Sequence, residues 1–204
     1  MAKQKQSPVI LALTGASGAQ YALRLLECLL GAGTPVYLMV SKAAQIVLSM
    51  ETELKVPAKP AEMERFFTEL YNTEAGQVKV FSQEQWTAPI ASGSHDALSM
   101  VVCPCTTGTL AAIANGNSDN LLERAADVML KEKRQLIMVV RETPFSQIHL
   151  ENMLRLSQAG ATIMPANPGF YNKPETLDDI IDFMVSRILD HLNVEHNLQP
   201  RWGE

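Results

Sequence analysis

Short apolar runs alternate along this chain with segments of helical periodicity, and this alternation restricts the fold more than any other feature. Val9–Leu13 is a continuous apolar run that stops at Thr14-Gly15, as a central strand of a parallel sheet does. This alternation of strands and helices predicts a doubly wound, Rossmann-like α/β fold, in which an open parallel sheet carries helices on both faces. The predicted strands are 9–13, 36–40, 78–81, 100–103, 136–140 and 162–164.

Helical spacing predicts a first helix through Tyr21, Leu25 and Leu29, ended by Gly31 and Gly33. Later helices are predicted at 42–50, 61–70, 107–114, 120–131, 148–159 and 176–192. The segment 82–98 has no periodicity, and irregular segments of this length are often functional lids.

Composition excludes several classes of protein. The length of 204 residues suits one domain, 1–204. The net charge of −5 argues against nucleic-acid binding, which needs a basic surface. Three cysteines make no disulfide framework and fit a reducing compartment. No apolar run reaches the length of roughly 18 residues that a membrane span needs. The start, 1–7, is basic and polar and the apolar run after it is short for a signal peptide, so we expect a cytoplasmic protein.

The first strand runs into Thr14-Gly15-Ala16-Ser17-Gly18-Ala19, and a helix follows. Backbone N–H groups at such a turn can bind an anion, and the Ser17 hydroxyl adds a donor. A tight turn without a ligand is the alternative. A dinucleotide site would place an acid after the second strand, where this chain has Ser41-Lys42, so the pattern favours a mononucleotide over NAD.

Two further strands end in polar residues. The strand 100–103 leads into Pro104-Cys105-Thr106-Thr107-Gly108-Thr109, whose hydroxyls could cradle a phosphate or a ring edge, although simple helix capping explains one of them. Cys103 and Cys105 have poor metal-ligand spacing, and we interpret them as packing residues. After the strand 136–140 come Arg141 and Glu142, either a reactive pair or a solvated surface pair.

Four other residues could bind an anion, although the sequence does not bring them together. Arg124 and Lys131 are seven apart and share a helix face, where an ordinary Asp127–Lys131 ion pair is the alternative. Arg187 lies in the last helix, and Tyr171 lies in the loop 168–171.

Taken together, these motifs resemble the flavin prenyltransferases of the UbiX type, a flavoprotein family related to FMN-dependent cysteine decarboxylases. The resemblance covers nearly the whole chain. Its motifs are TGASGAQY at 14–21, SKAA at 41–44, CPCTTGT at 103–109, NLLERAAD at 120–127, RETPF at 141–145, HLENM at 149–153, PGFY at 168–171 and PRWG at 200–203.

The resemblance implies that reduced flavin mononucleotide (FMN) is joined to dimethylallyl phosphate at N5 and then C6, in a homo-oligomer that is commonly a dodecamer. A UbiD-type decarboxylase, in ubiquinone biosynthesis or aromatic-acid metabolism, would receive the product. FMN would be held by Gly15, Ala16, Ser17, Ser41, Thr106, Thr107, Gly108, Thr109 and Arg141. Dimethylallyl phosphate would be held by Tyr171, Arg187, Lys131 and Arg124, some of them from a neighbouring subunit.

The same resemblance assigns chemistry to Glu51, Glu142 and Ser17, and places Trp86 beside the prenyl group. Without it, Glu51 is a surface acid at a helix end and Trp86 an anchor for its loop. An FMN-dependent cysteine decarboxylase and a non-enzymatic flavin carrier are the alternative functions.

One motif is typical of a different class of enzyme. Asp178-Asp179-Ile180-Ile181-Asp182 matches the magnesium-binding DDxxD pattern of diphosphate-using prenyltransferases. The alternating strands and helices do not fit the all-helical fold of those enzymes. Thr176 and Asp179 instead resemble a helix N-cap with a reciprocal acid, so we expect no metal site.

Overall fold

A six-stranded sheet forms the centre of the computed structural model, which describes residues 7–200. All strands are parallel, and their order across the sheet is β3-β2-β1-β4-β5-β6, which confirms the doubly wound prediction. The strands are β1 Val9–Leu13, β2 Val36–Val40, β3 Val78–Val80, β4 Ser99–Cys105, β5 Gln135–Val140 and β6 Thr162–Ile163. Residues 1–6 and 201–204, which include most of the polar start and of the PRWG motif, lie outside the described residues.

Helices connect the strands and cover both faces of the sheet. They are α1 Ala19–Gly31, α2 Lys42–Glu51, α3 Pro60–Leu70, α4 Thr107–Ala114, α5 Leu121–Lys131, α6 Gln147–Gln158 and α7 Leu177–Leu192. Each agrees with its predicted segment to within about two residues at either end, the scatter expected of helix ends.

The sheet separates two apolar cores, because successive side chains of a strand point to opposite faces. One core joins Val9, Leu11 and Leu13 of β1 to α1, α2, α3 and α7. The other joins Ile10 and Ala12 of β1 to α4, α5 and α6. Side chains of the two layers therefore do not pack against each other through the sheet.

Strand β4 is longer than the sequence predicts, since it continues through Pro104 to Cys105. The register between β4 and β5 shifts between Val102 and Cys105, which lets Cys105 pair with Val140. The shift also turns Cys103 towards one core and Cys105 towards the other. Both thiols are fully buried and unpaired, and burial raises the pKa of each, so their interpretation as packing residues is confirmed.

The irregular segment 82–98 contains one 3₁₀ turn, Pro89–Ala91. Hydrogen bonds hold its second half in place. The Arg134 guanidinium donates to the carbonyl oxygens of Gly93 (2.6 Å) and Ala97 (3.1 Å). The buried His95 ring accepts from the Ala97 N–H at 3.1 Å. Burial, followed by the nearby charge of Arg134, lowers the pKa of His95, so the ring is neutral at pH 7.

None of the helices within residues 7–200 combines the length and the apolar character that crossing a membrane requires. The cytoplasmic location and the extent of the domain, 1–204, stay predictions.

The start of α7 has the predicted capping arrangement. The Thr176 hydroxyl accepts from the Asp179 N–H at 3.2 Å, and Asp179 Oδ2 accepts from the N–H groups of Thr176 and Glu175, both at 2.9 Å. Asp182 is bound instead by Arg24, with Nε to Oδ1 at 2.7 Å. Two of the three acids of the DDxxD pattern therefore have partners within the chain.

We expect Asp179→Asn to lower the free energy of unfolding, because the amide replaces a charged acceptor at the positive end of α7. Asp178→Asn, one residue away, is the matched control and should cost less. Urea unfolding at pH 7 measures both. Equal losses in the two variants would contradict the capping role of Asp179.

Candidate functional site

The carboxyl ends of β1, β2, β4 and β5 lie at one edge of the sheet, and the polar motifs follow each of them. The parallel register places Leu13 beside Val40, and Cys105 beside Val140. The turn after β1, Ser41 after β2, the threonines after β4 and Arg141 after β5 therefore occupy one edge. This is where doubly wound proteins bind ligands.

Thr14 connects two of these turns, a role that the sequence analysis missed. Its hydroxyl donates to the Pro104 carbonyl oxygen at 2.7 Å and accepts from the Thr106 N–H at 2.8 Å. The side chain is buried, so both contacts are made away from solvent. Thr14 thus fixes the turn after β1 against the turn after β4. A hydroxyl directly after an apolar strand was the available signal, but its partners lie about 90 residues away in sequence.

Glu51 reaches the N-terminus of α1 from the end of α2. Its Oε2 accepts from the N–H groups of Gly18 and Ala19, both at 2.9 Å. The Ser17 hydroxyl also binds this carboxylate, and Arg141 is close enough to act on it electrostatically. The N–H groups that the sequence offers to a ligand anion at this turn thus already bind a carboxylate of the chain itself.

Several opposing effects determine the charge of Glu51. Burial raises the pKa of the carboxyl group, while the hydrogen bonds from Ser17, Ala19 and Gly18 and the charge of Arg141 lower it. The lowering effects are larger in sum, so the pKa lies below its ordinary value of 4.5 and Glu51 is a carboxylate at neutral pH. It is therefore not the surface acid at a helix end that the sequence alone would suggest.

An unpaired cation at this edge fits a bound anion, and a glycine keeps the neighbouring turn close to α2. Arg141 Nε is buried and has no hydrogen-bond partner within residues 7–200, although burying such a donor without an acceptor is costly. A Cβ added at Gly15 would come within 2.5 Å of Ala43 Cβ, so only glycine lets the β1 turn approach α2 this closely. Here a cation with unused donor capacity and a tightly packed turn lie at one sheet edge.

Hydroxyl groups after β2 and β4 supply further donors. The oxygens of Ser41 and Thr106 cap α2 and α4 by accepting from the N–H groups of Ala44 (3.0 Å) and Thr109 (3.1 Å). Thr106 also donates to the Thr109 hydroxyl oxygen at 2.9 Å. Because a hydroxyl that only accepts keeps its own hydrogen, Ser41 and Thr109 can each still donate to a ligand.

Tyr171 and Arg187 come together although sixteen positions separate them in sequence. They line one groove of about 890 Å³ between the loop 168–173, the last turns of α7 and the segment 194–200. Both side chains are exposed, Tyr171 to 75%. The sequence predicted both residues for phosphate binding but could not place them in one groove.

Arg124 and Lys131 lie apart from that groove. They belong to α5, which packs in the layer of α4 and α6, whereas α7 packs on the opposite face of the sheet. Arg124 donates to the Ala91 carbonyl oxygen at 3.0 Å and pairs with Asp127 at 2.7 Å, and Lys131 pairs with Glu132. The Asp127–Lys131 pair considered from the sequence is thus replaced by Arg124–Asp127, so the four predicted residues form two separate pairs in one chain.

The other two predicted residues lie on loops. Trp86 is 49% exposed, so it is not buried as a loop-packing anchor would be. Glu142 directly follows Arg141 and accepts from the Thr143 N–H at 3.0 Å.

Comparison with known proteins agrees with the fold. The sequence profile of the family described as Flavoprotein matches residues 1–189. The flavin prenyltransferase UbiX of Pseudomonas aeruginosa is 56% identical over 196 residues, which cover 96% of this chain and 94% of that protein.

Two solved structures are similar over nearly their full lengths. One is AnUbiX in complex with FMN and dimethylallyl pyrophosphate, with a TM-score of 0.86, 37% identity and 98% coverage of both chains. The other is a dodecameric FMN-dependent UbiX-like decarboxylase from Escherichia coli O157:H7, with a TM-score of 0.84, 39% identity and coverage of 97% of this chain and all of that one.

The doubly wound sheet and its polar carboxyl edge thus define a member of the flavoprotein family. Within it, the chain belongs to the flavin prenyltransferases of the UbiX type, which confirms the resemblance found in the sequence. The individual site roles inferred from that resemblance stay predictions.

We expect Glu51→Gln to lower the free energy of unfolding by about 1 kcal/mol at pH 7, since a neutral amide binds the α1 N–H groups less strongly. The folded-state pKa of Glu51 is lowered, so its contribution is complete above the ordinary value of 4.5 and is lost as the pH falls through the folded value.

Urea unfolding between pH 7 and pH 3 measures this dependence, with the exposed Glu53→Gln as matched control. The difference between wild type and Glu51→Gln should shrink on acidification. A difference that stays constant across the whole range would contradict the assigned contacts.

Proposed function

We propose that this protein transfers a dimethylallyl group from dimethylallyl phosphate to reduced FMN, forming bonds at N5 and C6 of the flavin. The strongest support is the 56% identity to a flavin prenyltransferase over 96% of the chain. The solved AnUbiX complex contains FMN and dimethylallyl pyrophosphate, which supports FMN and a phosphorylated dimethylallyl donor as the reactants. The proposed activity resides in a single domain, 1–204.

The sheet edge suits FMN. Arg141 offers a buried, unpartnered N–H, and the Ser41 and Thr109 hydroxyls retain donor capacity. Gly15, Ala16, Ser17, Thr106, Thr107 and Gly108 complete the proposed binding set around these donors. The occupied N–H groups of Gly18 and Ala19 make it more favourable for the FMN phosphate to bind at the turns after β2 and β4.

The groove of Tyr171 and Arg187 suits the phosphate of the prenyl donor. A guanidinium and a phenol hydroxyl are both donors to phosphate oxygens. Arg124 and Lys131 would join them from a neighbouring chain, because in one chain the sheet separates the two pairs. Assembly is thus part of the proposed site, and the dodecameric state of the similar Escherichia coli protein supports a homododecamer.

Reduced FMN supplies two nucleophilic positions, N5 and C6. When the prenyl C–O bond breaks, the phosphate leaves with the electron pair, and Arg187, Tyr171, Arg124 and Lys131 stabilise its charge. The allylic carbon left behind is cationic, and the half-exposed indole of Trp86 can stabilise it through its face. The cation then bonds to N5, and the proton that N5 carries in reduced FMN leaves.

Ring closure bonds the far alkene carbon of the N5-linked prenyl group to C6, while a proton adds to the neighbouring alkene carbon and the C6 proton leaves. Glu51 is suited to accept a proton because it is ionised at neutral pH and held rigidly by Gly18, Ala19 and Ser17. Glu142 and the departed phosphate are the other possible acceptors. Ser17 would orient the Glu51 carboxylate. The described groups form no cluster of potential metal ligands within residues 7–200, and the proposed chemistry uses none.

A UbiD-type decarboxylase is the proposed recipient of the product, since a prenylated flavin is a cofactor precursor and not a metabolic end point. An FMN-dependent cysteine decarboxylase or a simple flavin carrier would need the sheet edge but not the phosphate groove.

Incubation with reduced FMN and dimethylallyl phosphate under anaerobic conditions separates these functions. We expect a flavin whose mass rises by one prenyl group, together with release of inorganic phosphate. A carrier would return unmodified FMN. A cysteine decarboxylase would instead release carbon dioxide from a peptide with a C-terminal cysteine.

We expect Arg187→Ala and Tyr171→Phe to retain FMN binding but to raise KM for dimethylallyl phosphate by roughly tenfold to a hundredfold, because each removes a hydrogen bond to a charged group. Flavin fluorescence titration and steady-state phosphate release measure the two effects. Loss of FMN binding with an unchanged KM would contradict the assignment of this groove.

We expect Trp86→Ala to slow prenyl transfer far more than Trp86→Phe, because a phenyl face can still stabilise the allylic cation. Single-turnover flavin absorbance gives the rates, and circular dichroism checks the fold of both variants. Equal rates in two folded variants would assign Trp86 to packing only.

A further inference from the structure

Asp190 binds two other residues of the Tyr171–Arg187 groove at the same time. Its Oδ2 accepts from Nη1 of Arg187 at 2.7 Å, one turn earlier on α7. Its Oδ1 lies 3.1 Å from Nε2 of His196, in the segment 194–200 that follows the helix. Asn193, with φ of 55°, ends the helix in the left-handed conformation and lets the chain turn back so that His196 reaches Asp190.

The contacts determine which His196 nitrogen carries the proton. A carboxylate can only accept, so Nε2 must donate to Asp190. In the neutral ring Nδ1 is then an acceptor, and it lies 3.4 Å from the Leu198 N–H. The side chain is only 14% exposed and both of its nitrogens are used within the chain. His196 is therefore arranged to hold its segment in place and has no ring nitrogen left over for a ligand.

The position of Asp190 indicates that its role is not helix stability. It lies in the last turn of α7, where the negative end of the helix dipole disfavours a carboxylate. By contrast, Asp179 lies at the favourable end of the same helix and caps it. A carboxylate kept at the unfavourable end needs another reason, and its two groove partners supply one.

A further hydrogen bond connects the loop of Tyr171 to the segment 194–200. The Asn172 amide donates to the Gln199 side-chain oxygen, and Gln199 in turn donates to the Asp179 carbonyl oxygen at 3.4 Å. The segment 194–200 therefore contacts the loop that carries Tyr171 and, through His196 and Asp190, also contacts Arg187. It is the element that links the two phosphate-binding side chains.

We propose that Asp190 and His196 are positioning residues for the prenyl phosphate, an inference that rests on the proposed function. Asp190 engages one guanidinium nitrogen and thereby orients the other N–H groups of Arg187 into the groove. His196 fixes Asp190 from its other oxygen and anchors the wall formed by the segment 194–200. Neither residue touches the reacting atoms.

The test compares Asp190→Asn with Asp182→Asn in the full-length assembled protein loaded with FMN. Asp182 is a matched control because it is also an aspartate of α7 that binds an arginine, Arg24 of α1, but it lies outside the groove. We expect Asp190→Asn to raise KM for dimethylallyl phosphate about fivefold, with kcat changed less than twofold and FMN affinity unchanged. The melting temperature should stay equal or rise, and Asp182→Asn should leave KM unchanged.

His196 provides an independent pair of variants. His196→Gln keeps a side-chain N–H for Asp190, whereas His196→Leu removes it. KM should rise about threefold in His196→Leu and return towards the wild-type value in His196→Gln. A wild-type KM in Asp190→Asn, or an equal KM in the two His196 variants, would overturn the proposal, as would a KM increase shared by Asp182→Asn.

Binding without turnover separates this inference from the proposed function. Titration of dimethylallyl phosphate into the oxidised FMN complex, followed by calorimetry, should show about fivefold weaker binding to Asp190→Asn. If Asp190→Asn binds dimethylallyl phosphate more weakly than wild type, yet wild type forms no prenylated flavin, the proposed activity fails and the positioning role stands. If wild type prenylates FMN and Asp190→Asn binds equally well, the positioning role fails.

Discussion

The structure depends on the hydrogen bonding of a parallel sheet that is covered on both faces. Strands β1, β4 and β5 are almost entirely buried, so their N–H and C=O groups must bond to one another and their side chains must be apolar. Polar side chains can appear only where the strands end. The buried Thr14 hydroxyl, which satisfies groups of Pro104 and Thr106, stands at this boundary and joins two strand ends into one surface.

Helix N-termini at that surface bind side chains of the protein itself. Glu51 neutralises the positive end of α1, while Ser41 and Thr106 cap α2 and α4. The same bonds that stabilise α1 also keep Glu51 ionised and rigid. A group suited to accept a proton is thus held in place by the fold, with no need for a ligand to position it.

The two layers of helices explain why assembly belongs to the proposed site. Arg187 and Tyr171 lie on the side of α7, and Arg124 and Lys131 on the side of α5, with the sheet between them. Four donors to one phosphate cannot meet through a six-stranded sheet. Contact between chains is a direct way to bring the two pairs together, and the proposed site is therefore complete only in an oligomer.

The sequence by itself determined the fold class and the bounds of nearly all helices and strands, because apolar periodicity and capping residues act locally. Thr176 with Asp179 is an example, since both members of the cap lie within one turn. The open parallel sheet with helices on both faces follows from the same alternation, whereas its strand order is seen only in the structure. The sequence also indicated which polar residues lie at the sheet edge, because Ser41, Thr106 and Arg141 directly follow strands.

Only the tertiary structure decided which of these residues meet. Glu51 reaches Gly18 across 33 positions, Thr14 reaches Pro104 across 90, and Tyr171 joins Arg187 through a segment that carries no motif of its own between 194 and 199. Periodicity reports which face of an element is buried but not which distant polar group it will find there. Such partners depend on how the layers pack, and packing is a property of the whole folded chain.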